Sequence, residues 1–357
     1  MRLVFEKRQS VSRLALVVVP AVSLLFSLLG GAVLLLACGA NPLATYLAMA
    51  RGVFGSWPNF TEMLVKAIPL LLTGLAVSLA FRLQFWNIGA EGQLVLGGVA
   101  AAWVALFVSP YLPALAVLPA VILIGMAAGA LWAAIPAALK AYLRVDETLT
   151  TLMLNYVAIL FSQYLYYGAW RDPKGYGFPG TATFPESAWL PRLAGRAHIG
   201  LLFGLFAAAI LWFILWHTRW GFELRIIGEN PVAARYLGIN VARNVVLALL
   251  ISGALSGLAG AGEVTGISHR LQQGLSIGYG YTAIIVAWMA HLEPGAIIPV
   301  ALLMAGLLVG GDQVQITMHL PAAIGLVLQG MILFPMLAGA LFTEYRPRLL
   351  PGREVRP

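Results

Sequence analysis

The chain has 357 residues, 61% of them hydrophobic and only 10% charged, against roughly 25% charged for an ordinary soluble domain. Its mean hydropathy is +0.88, and several apolar stretches exceed the ~20 residues that cross a hydrocarbon core as a helix, which excludes a soluble fold and indicates an all-α polytopic membrane protein. The 22 Lys and Arg against 14 Asp and Glu give a net charge of +8, which in such a chain reports membrane topology rather than nucleic-acid binding.

Apolar runs and their breaks predict about ten transmembrane helices, some discontinuous, near 14–38, 62–81, 89–108, 114–138, 149–167, 199–217, 244–265, 281–290, 295–311 and 321–342. The first ends at Cys38, the single cysteine, which excludes an internal disulfide, a cysteine-based zinc site and an iron–sulfur cluster. Leu35-Leu36-Ala37-Cys38 resembles a lipoprotein processing box. The apolar run before it is longer than the ~7–15 residues of a secretory signal, so it reads as a retained span. Asn41 to Thr61, with Trp57 and Pro58 beside a short amphipathic stretch, suits a helix lying in the outer interface.

Between the second and third runs, Phe85-Trp86-Asn87-Ile88-Gly89-Ala90-Glu91-Gly92-Gln93 inserts two glycines, two amides and one carboxylate. Irregular backbone is tolerated in lipid only where protein buries it or a wet cavity meets it. Glu91 is therefore a functional candidate, the plain alternative being a turn at the membrane surface. The fifth span carries Tyr156, Gln163 and Tyr167 at i, i+7 and i+11, on one helical side, with Asn155 adjacent. Such groups either join helices or line the path of a neutral, hydrogen-bonding, partly flat solute.

Gly168 to His198 is rich in Pro and Gly and reads as an extracytoplasmic loop (about 168–198). Thr218 to Arg243 (a loop of about 218–243) is cytoplasmic and holds Gly228-Glu229-Asn230-Pro231-Val232-Ala233-Ala234-Arg235-Tyr236-Leu237-Gly238. Asn230 suits an N-cap, Pro231 the first helical position and Gly238 a left-handed stop. A two-turn helix follows, too short to stand alone in water. It is either a peg for a soluble partner or a connector between spans.

In the seventh span Ser252, Ser256 and Gly260 recur every four residues, beside Gly253 and Gly257, which allows close helix packing. Glu263 ends that span, facing either the path or the interface. A second Gly-rich interruption, Gly274 to Tyr281, pairs with the first, as expected where two halves of a transporter meet near the midplane. The short run at 281–290 continues through His291-Leu292-Glu293-Pro294-Gly295 and reads as a broken helix or tight hairpin.

With the N-terminus inside, cytoplasmic segments hold fifteen of the 22 basic residues, which favours both termini inside. Gly274-Leu275-Ser276-Ile277-Gly278 matches a nucleophile elbow without the strand that an elbow requires. Gly278 to Ala283 likewise matches a shortened dinucleotide fingerprint without a βαβ unit. There is no Gly-Lys-Ser/Thr phosphate loop and no His-Glu-x-x-His pair, and the five histidines make no metal set.

Together, Phe85 to Gln93, Arg219-Trp220-Gly221-Phe222-Glu223-Leu224-Arg225 and Gly228-Glu229-Asn230-Pro231 through Gly238-Ile239-Asn240 resemble the membrane permease subunit of bacterial ABC importers for nucleosides and simple sugars, in the branched-chain amino acid and ribose permease superfamily. The likeness runs from about residue 40 to about residue 340 and includes Gly278-Tyr279-Gly280-Tyr281-Thr282-Ala283-Ile284 and Val309-Gly310-Gly311-Asp312. It departs at Gln272-Gln273-Gly274, where a proline is expected before the glycine, and at Gly325, where a more polar residue is expected.

The resemblance implies one transmembrane permease domain over 14–342, between cytoplasmic tails 1–13 and 343–357, in the bacterial cytoplasmic (inner) membrane. It implies pairing with a second permease, or with itself, on two ABC ATPase subunits that bind the ATP, and delivery of solute by an extracytoplasmic substrate-binding lipoprotein. No cofactor, metal, nucleic-acid partner or covalent chemistry of its own is expected. Gly228, Glu229, Asn230, Pro231, Arg235, Tyr236 and Gly238 look like the coupling helix that enters the ATPase. Trp86, Asn87, Gly89, Glu91 and Gln93 look like the interrupted segment beside the translocation path, with Asn155, Tyr156, Gln163 and Tyr167 as its further lining. The expected solute is a nucleoside, moved by alternating access. A simple sugar is the alternative cargo, and an ion-coupled secondary transporter using Glu91 is the alternative class.

Overall fold

A backbone in hydrocarbon must satisfy its own N–H and C=O groups, and long apolar runs do so as helices. The computed structural model describes residues 2–7, 13–175, 177–275, 277–318 and 345–350, with scattered positions from 323 to 339. Its helices are α1 (Arg13–Ala37), α2 (Pro42–Phe54), α3 (Trp57–Phe81), α4 (Ala90–Trp103), α5 (Ala114–Leu143), α6 (Glu147–Tyr164), α7 (Gly200–His217), α8 (Arg219–Glu229), α9 (Pro231–Tyr236), α10 (Val241–Glu263), α11 (Tyr279–Met289) and α12 (Pro294–Met318). α4, α6 and α10 each run on into π-helical turns, at Val104–Val108, Leu165–Ala169 and Val264–Ser268.

Among the described residues seven helices are long and apolar enough to cross a bilayer, or eight if the bent pair Ala21–Ala37 and Pro42–Phe54 counts as one more. The expected run at 281–290 is the 11-residue α11. At 1.5 Å per residue it is about 16 Å long, roughly half of a hydrocarbon core. A hairpin at Ala290–Glu293, with His291 and Leu292 at positive φ, leads from it into α12, as a broken helix requires. Half of the expected span at 321–342, Gly325 included, lies outside the described residues.

The chain forms two compact units, Met1–Val53 with Leu307–Pro357, and Phe54–Gly306. In the first, α1 stops at Gly39 (φ 75°), and α2 leaves at 111° to it. The Tyr46 hydroxyl donates to the Leu28 carbonyl (2.7 Å), and Leu35, Met49, Val314, Ile324 and Leu328 form the core. Arg2–Lys7 and Tyr345–Leu350 pair there as an antiparallel ribbon, β1 and β4.

The second unit is built around α10, packed on α3, α4 and α5. Small residues make this possible: a Cβ at Gly97 would enter the Gly257 backbone, and one at Gly129 the Gly253 carbonyl. Ser252, Gly253, Ser256, Gly257 and Gly260 are all buried, so the spacing read in the sequence is the seam of this bundle. Ser252 Oγ also donates to the Ala76 carbonyl of α3 (2.7 Å).

Candidate solute path and coupling surface

The two Gly-rich interruptions meet in the second unit, as expected of paired breaks. Glu91, in the first turn of α4 and fully buried, accepts the Gly278 N–H on Oε1 (3.0 Å) and the Gly280 N–H on Oε2 (2.6 Å). These are free N–H groups at the start of α11, so the carboxylate caps a helix distant in sequence and lies at the positive ends of two helix dipoles. A Cβ at Gly280 would strike the Glu91 backbone, which explains the glycine.

The neighbouring amides are equally committed. Asn155 Oδ1 accepts the Gly92 N–H (2.8 Å) while its Nδ2 donates to the Ile88 carbonyl (2.9 Å) and the Tyr281 hydroxyl (3.3 Å). Asn87 and Gln93 exchange amide hydrogen bonds (3.2 and 3.0 Å), and Asn87 also donates to Ser252 Oγ (3.1 Å). A Cβ at Gly92 would strike Asn155 of α6, and one at Gly89 would crowd Asn87, Thr151 and Gln93. Asn87, Gly89, Glu91, Gln93 and Asn155 therefore hold the interruption in shape, and none of them lines the clefts described below.

The fifth-span residues part company. Asn155 is buried, while the adjacent Tyr156 is half-exposed. Gln163 lines a cleft of about 240 Å³ with Ser162, Tyr166, Gln272, Gln273 and Leu275. The π turn at Leu165–Ala169 shifts the face, and the Tyr167 hydroxyl donates to Gln273 Oε1 (3.2 Å) at the same cleft. Gln272 and Gln273 also line an adjoining cleft of about 710 Å³ with Asp172, Lys174, Phe178 and Arg270. Gln272 and Gln273 thus stand in both clefts. Two adjacent amides beside a glycine, between two apolar spans, were the signal for them.

The wall of the adjoining cleft is the 168–198 loop, strapped to the segment before α11. Thr181, Phe184 and Leu190 donate backbone N–H groups to the carbonyls of Leu271 (2.9 Å), His269 (2.8 Å) and Thr265 (3.1 Å), and Trp189 stacks on His269 (4.0 Å). The hairpin of β2 (Arg192–Ala194) and β3 (Ala197–His198) ends the loop. It buries His198, whose Nδ1 accepts the Gly200 N–H (3.2 Å). Burial, helped by His269 nearby, pushes the His198 imidazole down to about 4.

At Thr218–Asn240 the local signals act as read. Asn230 Oδ1 accepts the N–H groups of Val232 (2.9 Å) and Ala233 (3.1 Å), Pro231 opens α9, and Gly238 ends it at φ 79°. Glu229, Asn230, Pro231, Arg235 and Gly238 are exposed, and Tyr236 is 88% exposed. What α9 rests on is α8, whose Gly228 lies so close to the Arg82 carbonyl that a Cβ would overlap it. Arg82 pairs with Glu293 (2.8 Å) and donates to the Leu292 carbonyl (2.9 Å). The Trp216 indole donates to the other Glu293 oxygen (3.2 Å), under Arg225 at 4.9 Å. The coupling candidate is thereby tied to the ends of α3 and α11.

A membrane bundle with paired helix breaks, a polar cleft and an exposed capped helix defines a transporter subunit. Residues 59–337 match the family described as branched-chain amino acid transport system / permease component, and the chain belongs to that family. It is 36% identical over 339 residues to the glucose ABC transporter permease protein TsgB13 of Haloferax volcanii, covering 92% of this chain and 88% of that one. It is 35% identical over 333 residues to the guanosine ABC transporter permease protein NupP of Bacillus subtilis (91% and 94%). It is 32% identical over 305 residues to the nucleoside ABC transporter permease protein NupB of Lactococcus lactis subsp. cremoris (82% and 83%). The chain is the membrane permease component of an ABC importer, not its ATPase.

Proposed function

We propose that this subunit forms, with a second permease, the path along which a nucleoside crosses the bacterial cytoplasmic membrane. The observation that carries the cargo is the cleft of Gln163, Tyr166, Gln272 and Gln273, which offers amides and a phenol and no charged side chain. Amides read the edges of a base, and phenol rings stack on its face. Two of the relatives named above carry guanosine or nucleoside in their names. The glucose permease relative favours a second reading, the same machine carrying a simple sugar.

Solute delivered by an extracytoplasmic binding lipoprotein would enter by the Asp172–Gln273 cleft. At the other end α9 would insert into an ATPase, and its movement would reach the path through Gly228 and Arg82. Both termini on the cytoplasmic side accords with the pairing of β1 and β4, which holds the two tails together. The half-exposed Tyr156 marks its face of α6 for the second permease, since a phenol in hydrocarbon needs a polar partner.

Uptake of radiolabelled guanosine, uridine and glucose, with and without this gene, tests the reading while the ion gradient is collapsed and ATP maintained. Gene-dependent nucleoside uptake that survives collapse is expected. Sugar-only uptake would replace the cargo, and loss of uptake with the gradient would overturn the ATP-driven mechanism.

A further inference from the structure

A third cleft, of about 390 Å³, opens between the α3–α4 connection and the end of α11, lined by Phe81, Gln84, Phe85, Trp86, Glu147 and Trp288. It shares no residue with the two outer clefts. Its volume lies at the lower end of the roughly 300–1,000 Å³ of small-molecule sites. Aromatic rings form its wall: Phe81 and Trp86 lie 5.1 Å apart, and Trp86 and Trp288 6.0 Å apart at 35°. Those indoles touch each other and leave no gap for a third ring between them. Trp86 nevertheless remains 45% exposed and lines the cleft, so part of its indole is open to a ligand.

The polar groups at its edge narrow the ligand class. Glu147 is 6% exposed and paired with Lys140, so its charge is already compensated and the cleft does not select a cation. Its carboxylate still accepts hydrogen bonds, and the exposed Gln84 adds an amide that both donates and accepts. A flat neutral ring with N–H and C=O groups on its rim fits a stacking face bordered by such groups.

We propose that this cleft is a second solute site, at the end of the subunit that carries the coupling helix, where the ring of a nucleoside stacks on Trp86 with its edge toward Gln84 and Glu147. Its choice of ligand rests on the nucleoside reading above. Its walls are held by the coupling machinery. Gly228 of α8 abuts the Arg82 carbonyl, next to Phe81, while Arg82 grips Leu292 and Glu293 just beyond Trp288. A shift of α8 therefore moves the Trp86 wall and the Trp288 wall together. Solute bound there loads that motion, so accumulated nucleoside slows further import.

The test uses the whole transporter, both permeases with their ATPases, in lipid nanodiscs without the binding lipoprotein. Gln163→Ala and Gln273→Ala are introduced first so that the outer cleft does not report. Equilibrium binding of radiolabelled guanosine is compared with that of glucose and choline. Trp86→Leu is expected to weaken guanosine binding about tenfold, the scale of one lost base-stacking surface, and Trp86→Phe to restore most of it. If Trp86→Leu does not assemble, Gln84→Gly reads the same site, because position 84 has φ 55° and tolerates glycine. It is expected to weaken binding about threefold. Unchanged guanosine affinity in both variants overturns the site, as does Trp86-dependent binding of choline or glucose in preference to guanosine. Uptake by intact wild-type cells separates the two readings. Guanosine uptake with Trp86-independent binding removes this site alone, whereas sugar-only uptake removes the cargo assignment and leaves Trp86-dependent guanosine binding in support of the site.

Discussion

A carboxylate buried in a membrane bundle invites a role in ion coupling, but both Glu91 oxygens accept backbone N–H groups of the α11 start. Glu91→Gln keeps one acceptor and turns an NH₂ toward a backbone donor, which leaves a buried N–H unpaired at a cost of about 1–3 kcal/mol. The expected result is a lower Tm of the purified transporter, with uptake reduced only as far as folded protein is reduced. Full stability with abolished uptake would return Glu91 to the transport chemistry. His198 makes a pH prediction. Its folded value of about 4 lies below the usual 6.5, so between those values the unfolded chain binds more protons than the folded one. Stability is thus intact above about pH 6.5 and falls as pH drops toward 4. Unfolding midpoints measured from pH 7.5 to pH 4.5 should fall less steeply in His198→Gln than in the parent. Equal slopes would mean that the imidazole is not buried neutral.

At the scale of elements, α9 is the most exposed commitment. Replacing Asn230 and Pro231 together by glycine removes the cap that holds Val232 and Ala233 and frees the fixed φ of the first helical residue. A six-residue helix has little else to hold it. Uptake is expected to fall at least about tenfold, with solute-stimulated ATP hydrolysis lost and the Tm of the spans unchanged. Uptake at the full rate would end the docking assignment. This element was legible because its signals are local: cap, proline and stop lie within nine residues and need no tertiary contact. The seam of α10 was legible for the same reason, small residues at a regular spacing. What the sequence hid depends on partners far away. Asn155 and Tyr156 are neighbours on one helix, yet one is clamped under the α3–α4 turn and the other is half-exposed. The π turn after Tyr164 also breaks the 3.6-residue period on which a shared polar face was read. Gln272 and Gln273 acquire their place only because the 168–198 loop straps the segment beside them.

For the molecule as a whole, alternating access requires parts that move as bodies, and the second unit contains the means to stay rigid. The α4, α5 and α10 backbones come close enough that Cβ atoms at Gly97, Gly129, Gly253 or Gly257 would overlap main-chain atoms of a neighbouring helix. Backbone cannot swing aside as a side chain does, so the helices must separate to admit a larger residue. Separation would spoil two functions at once: α4 carries Glu91, which caps α11, and the α3–α4 turn rests on α8. Gly257→Val is therefore expected to cost more than the 1–3 kcal/mol of an ordinary overpacked core site. It should appear as loss of assembled permease from the membrane fraction and a Tm several degrees lower. Gly168→Ala is the matched control, since its Cβ would meet nothing within 4 Å. It should leave assembly, Tm and uptake at parental values. If Gly257→Val assembles and melts like the parent, the bundle yields where the geometry makes it stiff, and motion of α8 would be absorbed within it before reaching the clefts beyond.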